Sequence, residues 1–216
     1  MLIVSFLRHA STAWNEQGLM QGRRDVPLSA SGRAEAAGWR LPLEDDEPAA
    51  WLASPLARAA ETASIMSGSA PRLVPELIEM DWGTWEGQSL PELRARLGCA
   101  FTRNERRGLD FRPPGGESPR DVMTRVARWL DGIGGHDPGP LVAVTHNGVL
   151  RAMLALATGW DMTCKAPVKL RTAALHRFAL ARGPRLALLA CNVPLVSEPS
   201  ARCPSRPPPA PSAALR

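Results

Sequence analysis

The sequence predicts an α/β fold: a three-layer α/β/α sandwich on a mostly parallel sheet with an antiparallel edge. Three observations predict it. Leu2-Ile3-Val4-Ser5-Phe6-Leu7 and Leu141-Val142-Ala143-Val144 read as buried strands. Strand-like runs alternate with helical ones along most of the chain, as a parallel sheet with helical crossovers requires. Two late runs, about 174–180 and 185–191, are joined by Ala181-Arg182-Gly183-Pro184 and read as a hairpin.

The elements follow in order. The first strand delivers Arg8 and His9 side by side, then a small residue, Ala10, and two hydroxyls, Ser11 and Thr12. The backbone can turn tightly there and a small anion can come close. Residues 11–28 read as a loop with Gly18, Gly22 and Pro27. Ser29 or Ser31 caps a helix over about 31–41, with Glu35 placed as a capping-box partner. The acidic stretch 44–48 reads as a solvated turn, and Ala49 to Ala53 as a short strand. Ser54-Pro55 opens a helix to about 67, with Pro55 near the first turn and Gly68 and Pro71 beyond its end. A short strand follows at about 72–75, then an irregular loop over 76–89 and a helix over 90–97. Region 98–117 is Arg-rich and closes on Pro113-Pro114-Gly115-Gly116-Glu117. Ser118-Pro119 starts an amphipathic helix to about 133, with Val122, Val126, Trp129, Leu130 and Ile133 on one side. After a loop over 134–140, the second buried strand ends in Thr145-His146, and a helix over 148–158 follows at once.

The 216 residues suit one folded domain, placed at 1–198. Residues 199–216 form a Pro-rich tail with too little apolar content to fold, expected to stay disordered. There is no long apolar run and no basic leader with a cleavage site, so no membrane association and a cytoplasmic location are expected. Cys99, Cys164, Cys191 and Cys203 lack C-x-x-C spacing and are expected as free thiols. The net charge of +5 owes three charges to Arg202, Arg206 and Arg216; without them 23 basic residues face 21 acidic ones. No basic block is interleaved with aromatics, so no nucleic-acid partner is expected.

Two strands end in histidine, His9 and His146, and in a parallel sheet those ends share one edge, where α/β folds place ligands. Arg58 lies early in the helix after the 49–53 strand and would reach the same edge, where a guanidinium suits phosphate oxygens. Alone, it would read as a surface arginine paired with Glu61 or Glu35. The 76–89 loop mixes carboxylates with tryptophans, and a sheltered carboxyl suits a general acid. Composition does not choose among Glu76, Glu79, Asp81 and Glu86. A metal would need a third ligand, and neither His136 nor His176 has ligand spacing to the pair. No Gly-rich nucleotide motif is present.

With these residues assembled, the chain resembles the histidine phosphatase superfamily, also called phosphoglycerate mutase-like, over roughly residues 1–192. Leu7-Arg8-His9-Ala10-Ser11-Thr12-Ala13-Trp14-Asn15 resembles its Arg-His-Gly signature. Gln21-Gly22-Arg23-Arg24-Asp25-Val26-Pro27-Leu28-Ser29 with Gly32 resembles its G-x-x-D-x-P-L-[ST]-x-x-G segment. Ser54 to Ala63 resembles its S-x-L-x-R-A-x-x-T-A helix, and Glu79 to Gly87 its E-x-x-x-G-x-W-E-G acid loop. Val144 to Arg151 resembles its second histidine motif. The chain departs from the pattern at Ala10, at Asn147 and at Ser11, which stand for a glycine, the first glycine of His-Gly-Gly, and a Glu or Gln.

The resemblance implies a phosphomonoesterase for a small phosphorylated metabolite, with no cofactor and no metal. By resemblance, His9 is the nucleophile and becomes phosphohistidine, its ring fixed by a hydrogen bond from the other nitrogen. Arg8, Arg58 and His146 hold the phosphoryl oxygens. Glu79 protonates the leaving oxygen and then activates water. Asn15 donates a further hydrogen bond, and Ser11, Thr12, Gln21, Gly22 and Asn147 complete the expected substrate-binding set. A mutase is the alternative. Mutases of this family resemble longer chains with a larger insertion, whereas 66 residues separate Glu79 from His146 here. A non-catalytic phosphate-binding module is the third reading. Exposed tryptophans could serve a homodimer interface or roof the pocket.

Overall fold

The computed structural model describes residues 1–42, 48–133, 139–180 and 186–197. The expectations for the acidic turn, the 134–138 loop, His136, the hairpin connection, Cys203 and the Pro-rich tail fall on residues outside these. The six-stranded sheet uses β1 (Leu2–Arg8), β3 (Ala50–Ala53), β4 (Arg72–Leu73), β5 (Leu141–Thr145), β6 (Ala174–Leu180) and β7 (Leu186–Pro194). Their spatial order is β4-β3-β5-β1-β6-β7. The first four run parallel, and β6 and β7 add the antiparallel edge.

Side-chain alternation divides the core into two layers. Leu2, Val4 and Phe6 of β1, with Leu141 and Ala143 of β5, meet α6 (Pro119–Ile133) and α7 (Asn147–Thr158) through Val122, Val126, Leu130, Val149 and Met153. Leu7, Val142 and Val144 meet the other face, where α2 (Ala30–Gly38) and α3 (Ala57–Ser67) supply Ala36, Ala59 and Ala63. The alanines let these helices lie close on the sheet. Helices on both faces make the expected three-layer sandwich.

Three local expectations fail for identifiable reasons. The 11–28 loop contains a one-turn helix, α1 (Ala13–Glu16), set by a capping box between Thr12 and Asn15 and too short to show a period. Helix α2 starts at the Ser29 cap and ends at Gly38, because Trp39–Arg40 leave as strand β2 to pair with β8 (Val196–Ser197), a partner far off in sequence. Its third position is Gly32, so no capping box forms; Glu35 instead accepts from the Ser11 backbone N–H and hydroxyl. The 98–117 region holds α5 (Cys99–Glu105) directly after α4 (Leu90–Leu97), plus a 3-10 turn at Gly108–Asp110. Only Phe101 of α5 is buried, which explains why no amphipathic period marks that helix.

None of the seven tryptophans is exposed. Trp39, Trp85 and Trp160 are buried and the others partly so, which corrects the expectation that tryptophans are exposed; Trp82 lines the cavity described below. His176 is a buried strand residue whose ring nitrogens meet Arg171 O and Asn192 N. Among the described residues no helix is long and apolar enough to cross a membrane. Cys99, Cys164 and Cys191 are unpaired.

Candidate active site

Three adjacent parallel strands, β1, β5 and β3, end on one edge and hand over to His9, His146 and Ser54. Arg8 pairs with Thr145, and His9 N donates to Thr145 O at 3.0 Å, so the strand ladder continues into the site. The two imidazoles lie with ring centroids 5.1 Å apart, and both are buried. His9 Nδ1 is 2.7 Å from Ala10 O. A carbonyl can only accept, so Nδ1 carries the proton and Nε2 keeps its lone pair. This is the ring-fixing hydrogen bond that the sequence led us to expect. Burial, with Arg8 and Arg58 beside it, holds His9 well below the usual imidazole range.

Arg58 is fully buried, not paired on the surface; Glu61 pairs with Arg33 instead. Its Nη1 donates to Arg24 O and its Nη2 to Gly22 O, both at 2.8 Å. Asp25 returns the connection by accepting from Ala57 N at the start of α3, at 2.8 Å. The 21–25 loop is therefore clamped to the helix that carries Arg58. Gly22 adopts φ +55, and a Cβ there would fall 1.9 Å from Glu86 Oε1. Gly22 thus acts through its backbone.

Of the four carboxylates in the acid loop, Glu79 is the one that reaches the cavity. Its oxygens accept from Met80 N at 2.8 Å and Gly148 N at 3.2 Å. A Cβ at Gly148 would lie 2.4 Å from Glu79 Oε1, so the second glycine position of the motif is the one the carboxylate needs. Asn147 is the first residue of α7 and stands at the motif's first glycine position. Burial raises the Glu79 pKa against the pull of the two amides and of Arg58 and Arg8. Asp81 and Glu86 are engaged elsewhere, Asp81 capping Gly83 N and Glu86 accepting from Arg23 N, and Glu76 does not line the cavity. Glu117 ties Asp81 N, Arg23 and Arg125 together and so holds the acid loop against the 113–118 segment.

Arg8, His9, Asn15, Gln21, Arg58, Glu79 and Asn147 line one cavity of about 490 Å³. His146 lies behind it, its Nε2 2.7 Å from Ser54 Oγ. Burial, then His9 and the neighbouring arginines, hold His146 well below the usual imidazole range. Asn15 accepts from Thr12 N and Thr12 Oγ1 through its amide oxygen, which leaves the amide NH₂ as its donor. The structure does not bring the Ser11 and Thr12 side chains to the cavity: Ser11 turns to Glu35 and Thr12 caps α1. Sequence reasoning missed Ser54 and Gly148, although both stand inside quoted motifs, and it missed the outer wall from α4 and α5, including Arg94, Phe101 and Glu105.

Four buried polar atoms have no hydrogen-bond partner among the described residues: Arg8 Nε, Arg58 Nε, His146 Nδ1 and Gln21 Oε1. Each such atom costs about 1–3 kcal/mol. Three of them are nitrogens around His9, and two belong to cations desolvated by burial. That is an arrangement suited to the oxygens of a tetrahedral dianion.

The family model described as histidine phosphatase superfamily (branch 1) matches residues 4–192. The Arabidopsis thaliana protein named "Probable 2-carboxy-D-arabinitol-1-phosphatase" is 31% identical over 160 residues, covering 72% of this chain and 33% of that protein. A 2,3-bisphosphoglycerate-dependent phosphoglycerate mutase 2 of Gloeobacter violaceus is 33% identical over 136 residues, covering 60% of this chain and 62% of that protein. The chain therefore spans a third of the first relative and under two thirds of the second. Among solved structures, a mycobacterial glucosyl-3-phosphoglycerate phosphatase complexed with VO3 is 25% identical with a TM-score of 0.74, covering 88% of this chain and 98% of that one.

Proposed function

The chain belongs to the histidine phosphatase superfamily, branch 1, and we propose that it is a phosphomonoesterase working through a phosphohistidine on His9. The observation that carries this reading is the set of unpartnered buried nitrogens, Arg8 Nε, Arg58 Nε and His146 Nδ1, beside a histidine whose Nε2 lone pair is free. In the first step His9 Nε2 attacks phosphorus, and the P–O bond to the alcohol breaks. Glu79 gives its proton to the departing oxygen. In the second step the Glu79 carboxylate takes a proton from water. The water oxygen bonds to phosphorus, and the P–N bond breaks to return His9 and inorganic phosphate. Arg8, Arg58 and His146 stabilise the charge on the transferring oxygens, and Asn15 adds its amide NH₂. Gln21 and Asn147 border the alcohol, and Gly22 fixes Arg58 through its carbonyl.

The phosphatase named among the solved structures supports hydrolysis, and the mutase relative favours phosphoryl return to substrate as the second reading. One assay separates them. Incubation with 3-phosphoglycerate and its bisphosphate activator is expected to release inorganic phosphate; accumulation of 2-phosphoglycerate would establish the mutase instead. Release of phosphate from a panel of monoesters is expected to persist in a chelator, since two arginines and an imidazole supply the positive field.

The pKa directions fix the pH profile. His9 must be unprotonated to attack, and its lowered pKa puts the acidic limb below the ordinary imidazole range. Glu79 must be protonated to give its proton, and its raised pKa puts the alkaline limb above the ordinary carboxyl range. Glu79→Gln is expected to cut kcat by about 10²–10⁴-fold and to flatten the alkaline limb. Gly148→Ala, which displaces the same carboxylate, should lower kcat in the same direction. An alkaline limb that survives in Glu79→Gln would assign the proton donor elsewhere.

A further inference from the structure

The cavity lining holds six arginine and glutamate side chains: Arg8, Arg58, Arg94, Arg151, Glu79 and Glu105. Five are accounted for. Arg94 and Glu105 pair with each other at 2.6 Å. Glu79 is held by backbone amides, and Arg8 and Arg58 face the proposed phosphoryl site. Arg151 is the exception. It is partly buried, and its guanidinium makes no hydrogen bond or ion pair among the described residues. Its guanidinium carbon lies over the Trp160 ring, 4.8 Å from the ring centroid. Burial lowers its pKa, and no carboxylate lies near enough to raise it.

Its position gives this cation a direction. Arg151 sits on α7 one turn beyond Asn147 and Gly148, so all three share one face of the helix. Gly148 N is one of the two backbone amides that hold Glu79. In the proposed reaction the alcohol leaves past Glu79, so Arg151 stands on the side of the alcohol rather than of the phosphoryl group. Trp82, Phe111 and Met162 line the same cavity and offer apolar surface to a carbon skeleton. The contact with Trp160 places the guanidinium carbon over the ring and occupies none of its N–H groups with a hydrogen-bond acceptor among the described residues, so they are available for a bidentate anion. Trp160 is itself fixed, being buried with Nε1 donating to Cys164 O at 3.1 Å.

We propose that Arg151 is a second anion subsite, selecting phosphate monoesters whose alcohol portion carries a carboxylate or a further phosphate. The assignment rests on the phosphomonoesterase reading above. It is tested with matched esters on two scaffolds of different span: glycerol 3-phosphate against 3-phosphoglycerate, and phenyl phosphate against 4-carboxyphenyl phosphate and 1,4-phenylene bisphosphate. The wild-type protein is expected to favour the anion-bearing member at least about tenfold in kcat/KM on one scaffold, an effect typical of a charged hydrogen bond. The carboxylate and bisphosphate arms separate the two sources of charge. Arg151→Met should collapse that ratio through KM, and Arg151→Lys should restore part of it. Hydrolysis of every ester without preference would overturn the subsite and leave the phosphomonoesterase standing. So would an Arg151→Met variant in which both members fall together with the ratio intact, the mark of a purely structural stack. Absence of turnover on all esters would overturn the phosphomonoesterase reading and the subsite with it.

Discussion

His9→Ala is expected to lower turnover of an aryl phosphate by at least about 10⁴-fold, the scale seen when a covalent nucleophile is removed. The cause is specific to this residue. Arg8, Arg58 and His146 would still gather a phosphate, but no lone pair would face phosphorus. Binding and catalysis should therefore part: inorganic phosphate should still raise the melting temperature of His9→Ala, while hydrolysis is lost. Rapid quenching of the wild-type protein during turnover should trap a phosphoenzyme that is stable in alkali and labile in acid, as a phosphorus–nitrogen bond is. Substantial residual turnover in His9→Ala, or activity restored by added metal, would remove His9 from the nucleophile's role.

The second large effect is expected at Arg58. Arg58→Met retains bulk and loses both the charge and the two carbonyl contacts, to Gly22 and Arg24. Removing one oxyanion donor costs about 10²–10³ in kcat. Loosening the 21–25 loop adds to this, so a fall of about 10³-fold in kcat/KM is expected, roughly 4 kcal/mol of transition-state stabilisation. Arg58→Lys should recover little, because an ammonium cannot span two carbonyls and also offer an edge to phosphate. A ligand that binds the folded state at a hundred times its Kd stabilises it by about 2.7 kcal/mol. That phosphate-dependent rise in melting temperature should vanish in Arg58→Met. A variant keeping more than a tenth of wild-type kcat/KM would show that Arg58 serves the fold alone.

The parts of this protein that the sequence made legible are those where one strand or turn decides the outcome. Apolar runs mark β1 and β5, and because parallel strands end together, the sequence alone places His9 and His146 on one edge. The acid loop was legible as a segment, but Glu79 could not be told from Glu76, Asp81 or Glu86 by residue type alone. That choice rests on Gly148, 69 residues away, whose missing side chain makes room for one carboxylate. The same limit applies to Ser11 and Thr12. Their hydroxyls follow the histidine closely, yet Glu35 and Asn15 draw them away from the cavity. Helix α5 and strand β2 escaped notice because their stability comes from distant partners rather than from a local period.

The contact between His146 Nε2 and Ser54 Oγ has a consequence for which way protons point across the site. Leu56 N lies 3.3 Å from Ser54 Oγ and can only donate to it. With that lone pair occupied, the serine hydrogen is free to turn toward His146 Nε2. A ring that accepts at Nε2 carries its hydrogen at Nδ1, the buried atom with no protein partner. In that arrangement the polarity runs from the Leu56 amide through the serine and across the imidazole to a buried N–H beside His9. His146 can thus be a donor while uncharged, and a site already crowded with two arginines gains a third donor without a third positive charge. A serine at the end of β3 that donates in this way gives the histidine at the end of β5 the tautomer that donates at Nδ1.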